Sequence, residues 1–288
     1  MKIGSLIFDK YPVFAAPMED VSEPSFRYMC KKNGADMLYS EFVSSDALVR
    51  SVNKSMRKLT LYEYERPLAI QIFGRDPQSM ADAALMKNIT EAVVQAVKKP
   101  VTAKTRLGWD DADKPIEYVA EMLQDCGIQA LTIHGRTRAQ MYTGLADWTL
   151  IGNVKSNPRM HIPIIGNGDV DSPLKAKQMF DDYGVDAIMI GRASIGNPWI
   201  FRDVKYYLQT GELLPEFTVK QQVEELKEFT LKSVEFKGLP GGVIHMRRQY
   251  AKSFKGLDNF KETRVRLLKM ENLEDVMTML DHIAEEWG

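Results

Sequence analysis

Cysteine is scarce in this chain. Cys30 and Cys126 are its only two, with no CxxC spacing, so a disulfide scaffold is excluded and metal or redox readings are weak. Two free thiols fit a reducing cytosol. A charge of one sign is also lacking. The formal net charge is −1, so any nucleic-acid binding has to use a local basic face, not the global field. Long hydrophobic runs are missing too, because charges interrupt each one before the roughly 18 residues of a membrane span. Met1–Lys10 carries Lys2 and Asp9 where a signal peptide needs an apolar stretch. The expectation is a cytoplasmic monomer with no membrane association and no metal.

What is present is an ordinary globular composition, 44% hydrophobic and 27% charged over 288 residues. That length allows one large α/β domain with an appendage. Seven short runs rich in Val, Ile and Leu read as buried parallel strands: Val13–Met18, Met37–Val43, Leu68–Phe73, Val101–Leu107, Ala130–His134, Ile162–Gly166 and Ala187–Gly191. Helical periodicity fills most of the segments between them. Regular β-α alternation favours an α/β barrel over an open sheet. No Walker A pattern or full GxGxxG follows any strand.

Beyond Pro215 the chain becomes all-helical, opening on a Thr218–Gln221 capping box. The expected division is a barrel over 1–208 and a helical domain over 209–288. One unit is unusual. Pro77–Lys98 reads as a single helix of about 22 residues, about 33 Å at 1.5 Å per residue. Its apolar stripe changes phase near Leu85. A double-length helix and a count of seven strands together hint at a missing β-α unit.

Barrel sites lie at the C-terminal ends of strands. There, Gly166-Asn167-Gly168-Asp169 and Gly191-Arg192 offer glycine backbone and a guanidinium to a phosphate, or else are tight turns. Gln71, expected in mid-strand, has a carboxamide that matches the polar edge of a flavin or pyrimidine; neighbouring backbone could equally satisfy it. Lys104 on an interior strand needs an anionic ligand or a neighbouring acid. His134 ends its strand as a ligand contact or as a proton carrier near neutral pH. Arg136 and Arg138 are expected on the same rim. His161, His245 and His282 read as structural. Lys237–Lys269 carries nine Lys or Arg against Asp258 and Glu262. Arg247, Arg248, Lys252 and Lys255 recur there at helical spacing, as an RNA footprint or a solvated basic face.

Several collinear motifs then become specific. Ala16-Pro17-Met18-Glu19-Asp20-Val21, Gln71-Ile72-Phe73-Gly74, Pro100–Arg106, Leu131–Arg138, Gly166–Asp169, Ile190–Ala193 and Asn197–Phe201 resemble the tRNA-dihydrouridine synthases, nearest their bacterial B-type branch. The resemblance implies an FMN-containing TIM barrel with a helical tRNA-binding domain. It also implies reduction of the C5–C6 bond of tRNA uridines, with NADPH reducing the flavin. Ala16, Pro17 and Met18 would line the isoalloxazine, and Gln71 and Lys104 would bond its polar edge. Asn167, Gly168, Asp169, Gly191 and Arg192 would hold the ribityl phosphate, with His134 beside the cofactor. Arg136, Arg138, Arg247, Arg248, Lys252 and Lys255 would face RNA.

The resemblance breaks at one place. Relatives carry a strand ending in Asn-Met-Gly-Cys-Pro, whose Cys protonates uracil C5. Here Ala84 runs straight into Leu85. Cys30 and Cys126 are expected on the barrel face opposite the flavin. A non-catalytic tRNA-binding protein of the same descent is therefore the alternative to a working synthase. A flavin barrel acting on small pyrimidines is a third reading, which the helical domain disfavours.

Overall fold

The strands expected from Val, Ile and Leu runs form a curved parallel sheet in a computed structural model of the chain, which describes residues 1–45, 50, 58–73 and 83–288. An antiparallel hairpin of β1 (Lys2–Ile3) and β2 (Leu6–Ile7) comes first. Five strands follow in the parallel order β3-β11-β10-β9-β8: β3 (Val13–Ala15), β8 (Ala103–Arg106), β9 (Leu131–His134), β10 (Ile164–Asn167) and β11 (Ala187–Ile190). The expected strand at Met37–Val43 is broken into β4 (Leu38–Tyr39) and β5 (Val43–Ser44). Leu68–Phe73 is likewise broken into β6 (Leu68–Ala69) and β7 (Ile72–Phe73), and the pieces pair in parallel as β4 with β6 and β5 with β7. A bridge between Phe14 and Met37 ties this pair to β3.

The series therefore curves continuously from β8 round to β6 and β7, and stops. Among the described residues no backbone pairing joins β6 or β7 to β8. Burial marks the seam. β9, β10 and β11 are buried at every residue, β8 and β6 are half-buried throughout, and β7 is exposed.

Two apolar clusters explain why this arrangement folds. Alternate residues point inward, since side chains in a strand have a period of two. Phe14, Ala16, Met37, Tyr39, Ile165, Ala187 and Met189 fill the interior, and Ile3 of the hairpin packs with them. Phe8 contributes a ring 5.1 Å from that of Phe14. The hairpin thus plugs the N-terminal mouth, a feature its short, half-polar strands do not announce. The outward residues Val13, Ala15, Ile164, Ile188 and Ile190 pack against the helices.

Those helices are α1 (Pro24–Lys32), α2 (Ala83–Ala96), α3 (Ile116–Asp125), α4 (Thr149–Ser156), α5 (Pro173–Tyr183) and α6 (Ile200–Thr210). Of the long helix expected over Pro77–Lys98, only the part from Ala83 is described; Pro77–Asp82 lies outside the described residues. Ala84 and Leu85 sit consecutively in α2.

Four helices follow: α7 (Val219–Lys237), α8 (Gly241–Tyr250), α9 (Lys261–Lys269) and α10 (Leu273–Trp287). The expected capping box forms, with Gln221 N–H donating to Thr218 Oγ1 at 3.2 Å and Thr218 N–H to Gln221 Oε1 at 2.9 Å. Helix α7 packs on α1, so Phe229 joins Phe26 in one core that runs through both regions. Polar contacts follow the same seam: Tyr28 Oη donates to Glu228 at 2.8 Å, and Glu23, buried, takes Lys237 at 3.0 Å and His245 at 3.1 Å.

Candidate functional site

Strand register stacks the polar residues in layers. Lys104, Thr132 and Ile165 are partners across β8, β9 and β10, and Ile165 faces the interior, so Lys104 does too. One layer higher, Arg106, His134, Asn167, Met189 and Phe14 are in register. The two layers thus turn Lys104 and Arg106 of β8 inward beside His134 of β9 and Asn167 of β10.

Lys104 has no ion pair or hydrogen bond among the described residues, and burial, with Arg106 nearby, pushes its ammonium down to about 8. An interior cation without a partner is costly unless an anion joins it. Gln71 presents the complementary feature. It lies at the break between β6 and β7, not in mid-strand. Its N–H donates to Ser40 Oγ at 3.1 Å, while its buried Oε1 has no partner among the described residues. Backbone among the described residues does not satisfy it, so a buried polar group is left over there.

The glycines divide into two kinds. Gly166 serves packing: a Cβ there would come within 2.0 Å of the Trp148 ring, whose Nε1 donates to Gly168 O at 2.9 Å. Gly168 has φ +127° and lies against His134 and Ala146, and Gly191 lies against Ala16 and Met18. Backbone N–H groups of Gly168, Asp169, Gly191 and Arg192 find no acceptor among the described residues. Asn167 pins β10 to β11 by donating to Met189 O at 2.8 Å. Ala16 is buried, Pro17 and Met18 half-buried, at the same rim.

Three expectations need correcting. Asp169 cannot offer its carboxylate to a phosphate, because it accepts from Arg136 at 2.6 Å, Arg192 at 2.8 Å and Ala146 N–H at 2.8 Å. Its carboxyl is held below the usual range by those partners despite its burial. Only its backbone N–H remains. Arg136 is not a rim residue: it is 1% exposed, its guanidinium spent on Thr143 O, Gly144 O, Asp169 and His134. His134 is not a proton carrier near neutral pH, because burial first and then Lys104, Arg106, Arg136 and Arg192 push it down to about 3. It is a neutral imidazole that can make hydrogen bonds.

On the helical region the expected basic run is unevenly available. Arg247 is turned onto Lys269 O, Met270 O and Glu271, and Arg248 donates to Asp20 O of the barrel. Lys252 and Lys255 are exposed with no ion pair among the described residues. Cys30 is buried in α1, and Cys126 caps α3, in helices that run back toward the N-terminal ends of strands. Burial pushes both thiols up, and their place late in those helices, away from the C-terminal strand ends, is what rules them out as a substitute acid there. Sequence reasoning missed Tyr142. It is 58% exposed, with the guanidinium of Arg192 5.0 Å and that of Arg106 5.9 Å from its ring centre.

A parallel α/β sheet bent into a barrel, with glycine backbone and cations at its C-terminal strand ends, is the architecture of a barrel enzyme. The dihydrouridine synthase (Dus) family model matches residues 14–88 and 80–286. Among relatives, tRNA-dihydrouridine synthase B of Shewanella oneidensis is 33% identical, covering 96% of this chain and 96% of its own. That of Vibrio vulnificus is 38% identical over 82% of each chain, and that of Escherichia coli 38% identical over 75% of this chain and 80% of its own. The chain belongs to the dihydrouridine synthase family and is by family an oxidoreductase. The two matched stretches meet at residues 80–88, and the Shewanella alignment runs over 313 positions against the 288 residues here.

Proposed function

We propose that this chain is a flavoprotein of the tRNA-dihydrouridine synthase type, binding FMN at the strand ends and tRNA across the rim and the helical region. The observation that carries this reading is the unpartnered pair Gln71 Oε1 and Lys104 Nζ. The residues present fit the cofactor. Gln71 can accept from a ring N–H, and Lys104 can pair with the anionic N1–O2 edge of a reduced isoalloxazine. The free N–H groups at Gly168, Asp169, Gly191 and Arg192 can receive its phosphate, as backbone donors at strand ends do. Asp169 orients Arg192 and Arg136, and His134 contributes a neutral donor or acceptor beside them.

When bound, FMN supplies the hydride for uracil C6, with NADPH as its reductant. The chain's own part is to place the uridine, exclude water and deliver a proton to C5. For that last task no cysteine is in place: the motif cysteine is absent and both cysteines present are buried elsewhere. Loss of a positioned acid lowers rate by about 10²–10⁴. Turnover by this chain is therefore slow, and the open seam favours the second reading, a tRNA-binding protein without catalysis.

The test is the visible spectrum of the purified protein, with flavin released by denaturation, followed by incubation with NADPH and tRNA lacking dihydrouridine. Stoichiometric FMN with slow dihydrouridine formation is expected. Salt-sensitive tRNA binding with FMN but no product supports the non-catalytic reading. Absence of both flavin and tRNA binding overturns both.

A further inference from the structure

The loop between β9 and α4 has a construction that the flavin site does not require. Arg106 Nη1 donates to Thr137 O at 2.9 Å and Met141 O at 3.0 Å, fixing the loop from beneath. From the side, Arg138 N–H donates to Gly108 O at 2.9 Å and Ala139 N–H to Trp109 O at 2.8 Å, zipping it to the loop after β8. Arg136 holds its far end through Gly144 O at 2.7 Å.

This fixed loop displays large side chains to solvent. Tyr142 is 58% exposed, Met141 48% and Trp109 of the adjoining loop 46%. Around them stand Arg106, Arg192 and Arg138. Arg138 is exposed, and its guanidinium meets only the weak acceptor Met141 Sδ among the described residues. Three of the acidic residues nearby are already engaged. Asp110 caps its own turn through Ala112 and Asp113 N–H, Asp111 pairs with Lys114 at 2.8 Å, and Asp169 is held by two arginines.

Exposed aromatics in a rigid frame, with the exposed guanidinium of Arg138 alongside, are the elements that single-stranded nucleic acid uses: bases stack on rings and phosphates pair with cations. We infer that the β9–α4 loop is a nucleotide subsite beside the flavin site, in which an unpaired base stacks on Tyr142 and its phosphate is taken by Arg138. The inference rests on the tRNA reading above and names the residues that would hold the strand next to the target uridine. The charge around Tyr142 selects this occupant over a protein partner, since the side chains set against its ring are the guanidinium groups of Arg192 and Arg106, with Arg138 exposed four residues before it.

The experiment measures affinity for a fluorescent short oligouridylate across a salt series, using the whole protein with Tyr142→Ala, Tyr142→Phe and Arg138→Ala. Stacking on one aromatic predicts about a tenfold loss for Y142A, with Y142F within about twofold of the parent. R138A should reduce the slope of log affinity against log salt by about 0.7, the value for one single-strand phosphate contact. Unchanged affinity in Y142A, equal loss in Y142F and Y142A, or no oligouridylate binding by the parent protein each overturns the subsite. Thermal melts check that the exposed substitutions leave the fold intact. Flavin-loaded, tRNA-binding protein indifferent to Y142A sinks the subsite alone. Tyr142-dependent oligouridylate binding in protein without flavin or tRNA affinity sinks the synthase reading and leaves the subsite.

Discussion

Lys104 shows how one residue can be legible as chemistry and costly as structure. A lysine in an interior strand is visible in the sequence, and so is the need for an anion. That no acid among the described residues satisfies it becomes visible only when the facing strands are in register. Its folded-state pKa of about 8 lies below its ordinary 10.5, so between those values the unfolded chain binds more protons than the folded one. Stability of the flavin-free protein should therefore rise with pH from about 8 to about 10.5. Lys104→Met should flatten that rise and increase the urea midpoint at pH 7, because it removes an uncompensated interior cation, while flavin content falls. Urea titrations at pH 7 and 10 with flavin assay decide it: a lower midpoint in K104M at pH 7 would show that Lys104 has a partner. The trade of stability for a ligand site is common where function needs a strained environment.

Elements were more readable than their partners. Strand positions followed from apolar runs, and the expected Thr218–Gln221 capping box does open α7. Breaks were not readable, because Ile70-Gln71 and Ser40–Phe42 interrupt their strands without glycine or proline to signal it. Nor could the sequence pair Arg27 with Glu65, which lie 38 positions apart. Arg27 Nε and Nη2 donate to the two Glu65 carboxylate oxygens at 2.9 and 3.1 Å, with both side chains buried. This pair clamps α1 to the short 3₁₀ turn Glu63–Glu65 that feeds β6. Helix α1 also receives α7, so the clamp steadies the seat of the helical region. Removing one partner of a buried pair leaves a bare charge, typically at about 3–5 kcal/mol. Arg27→Met should lower stability by that much in urea unfolding, and the double variant Arg27→Met with Glu65→Leu should recover most of it. A loss under about 1 kcal/mol would mean that water already reaches the carboxylate.

At the scale of the whole molecule, the count of seven apolar runs and the seam between β7 and β8, unpaired among the described residues, point the same way. A barrel has no edges; among the described residues this sheet has two, at β7 and at β8, and an uncovered edge carries unpaired N–H and C=O groups. Gln71 and Lys104, the two residues proposed to hold the flavin ring, stand one on each side of that seam. The cofactor would then join edges that the backbone leaves apart, and its binding energy would be stabilisation of the seam. Local opening should follow the same map, since amides with few buried contacts exchange by small fluctuations. Hydrogen exchange in flavin-free protein should find β7 and β8 least protected, and β9, β10 and β11, buried at every residue, most protected. Added FMN should slow exchange at β7 and β8 far more than at β10. Equal protection across all strands before FMN addition would mean that the seam is paired in solution. Protection gained only at Gly168 and Gly191 would mean that the phosphate binds while the ring does not bridge the edges.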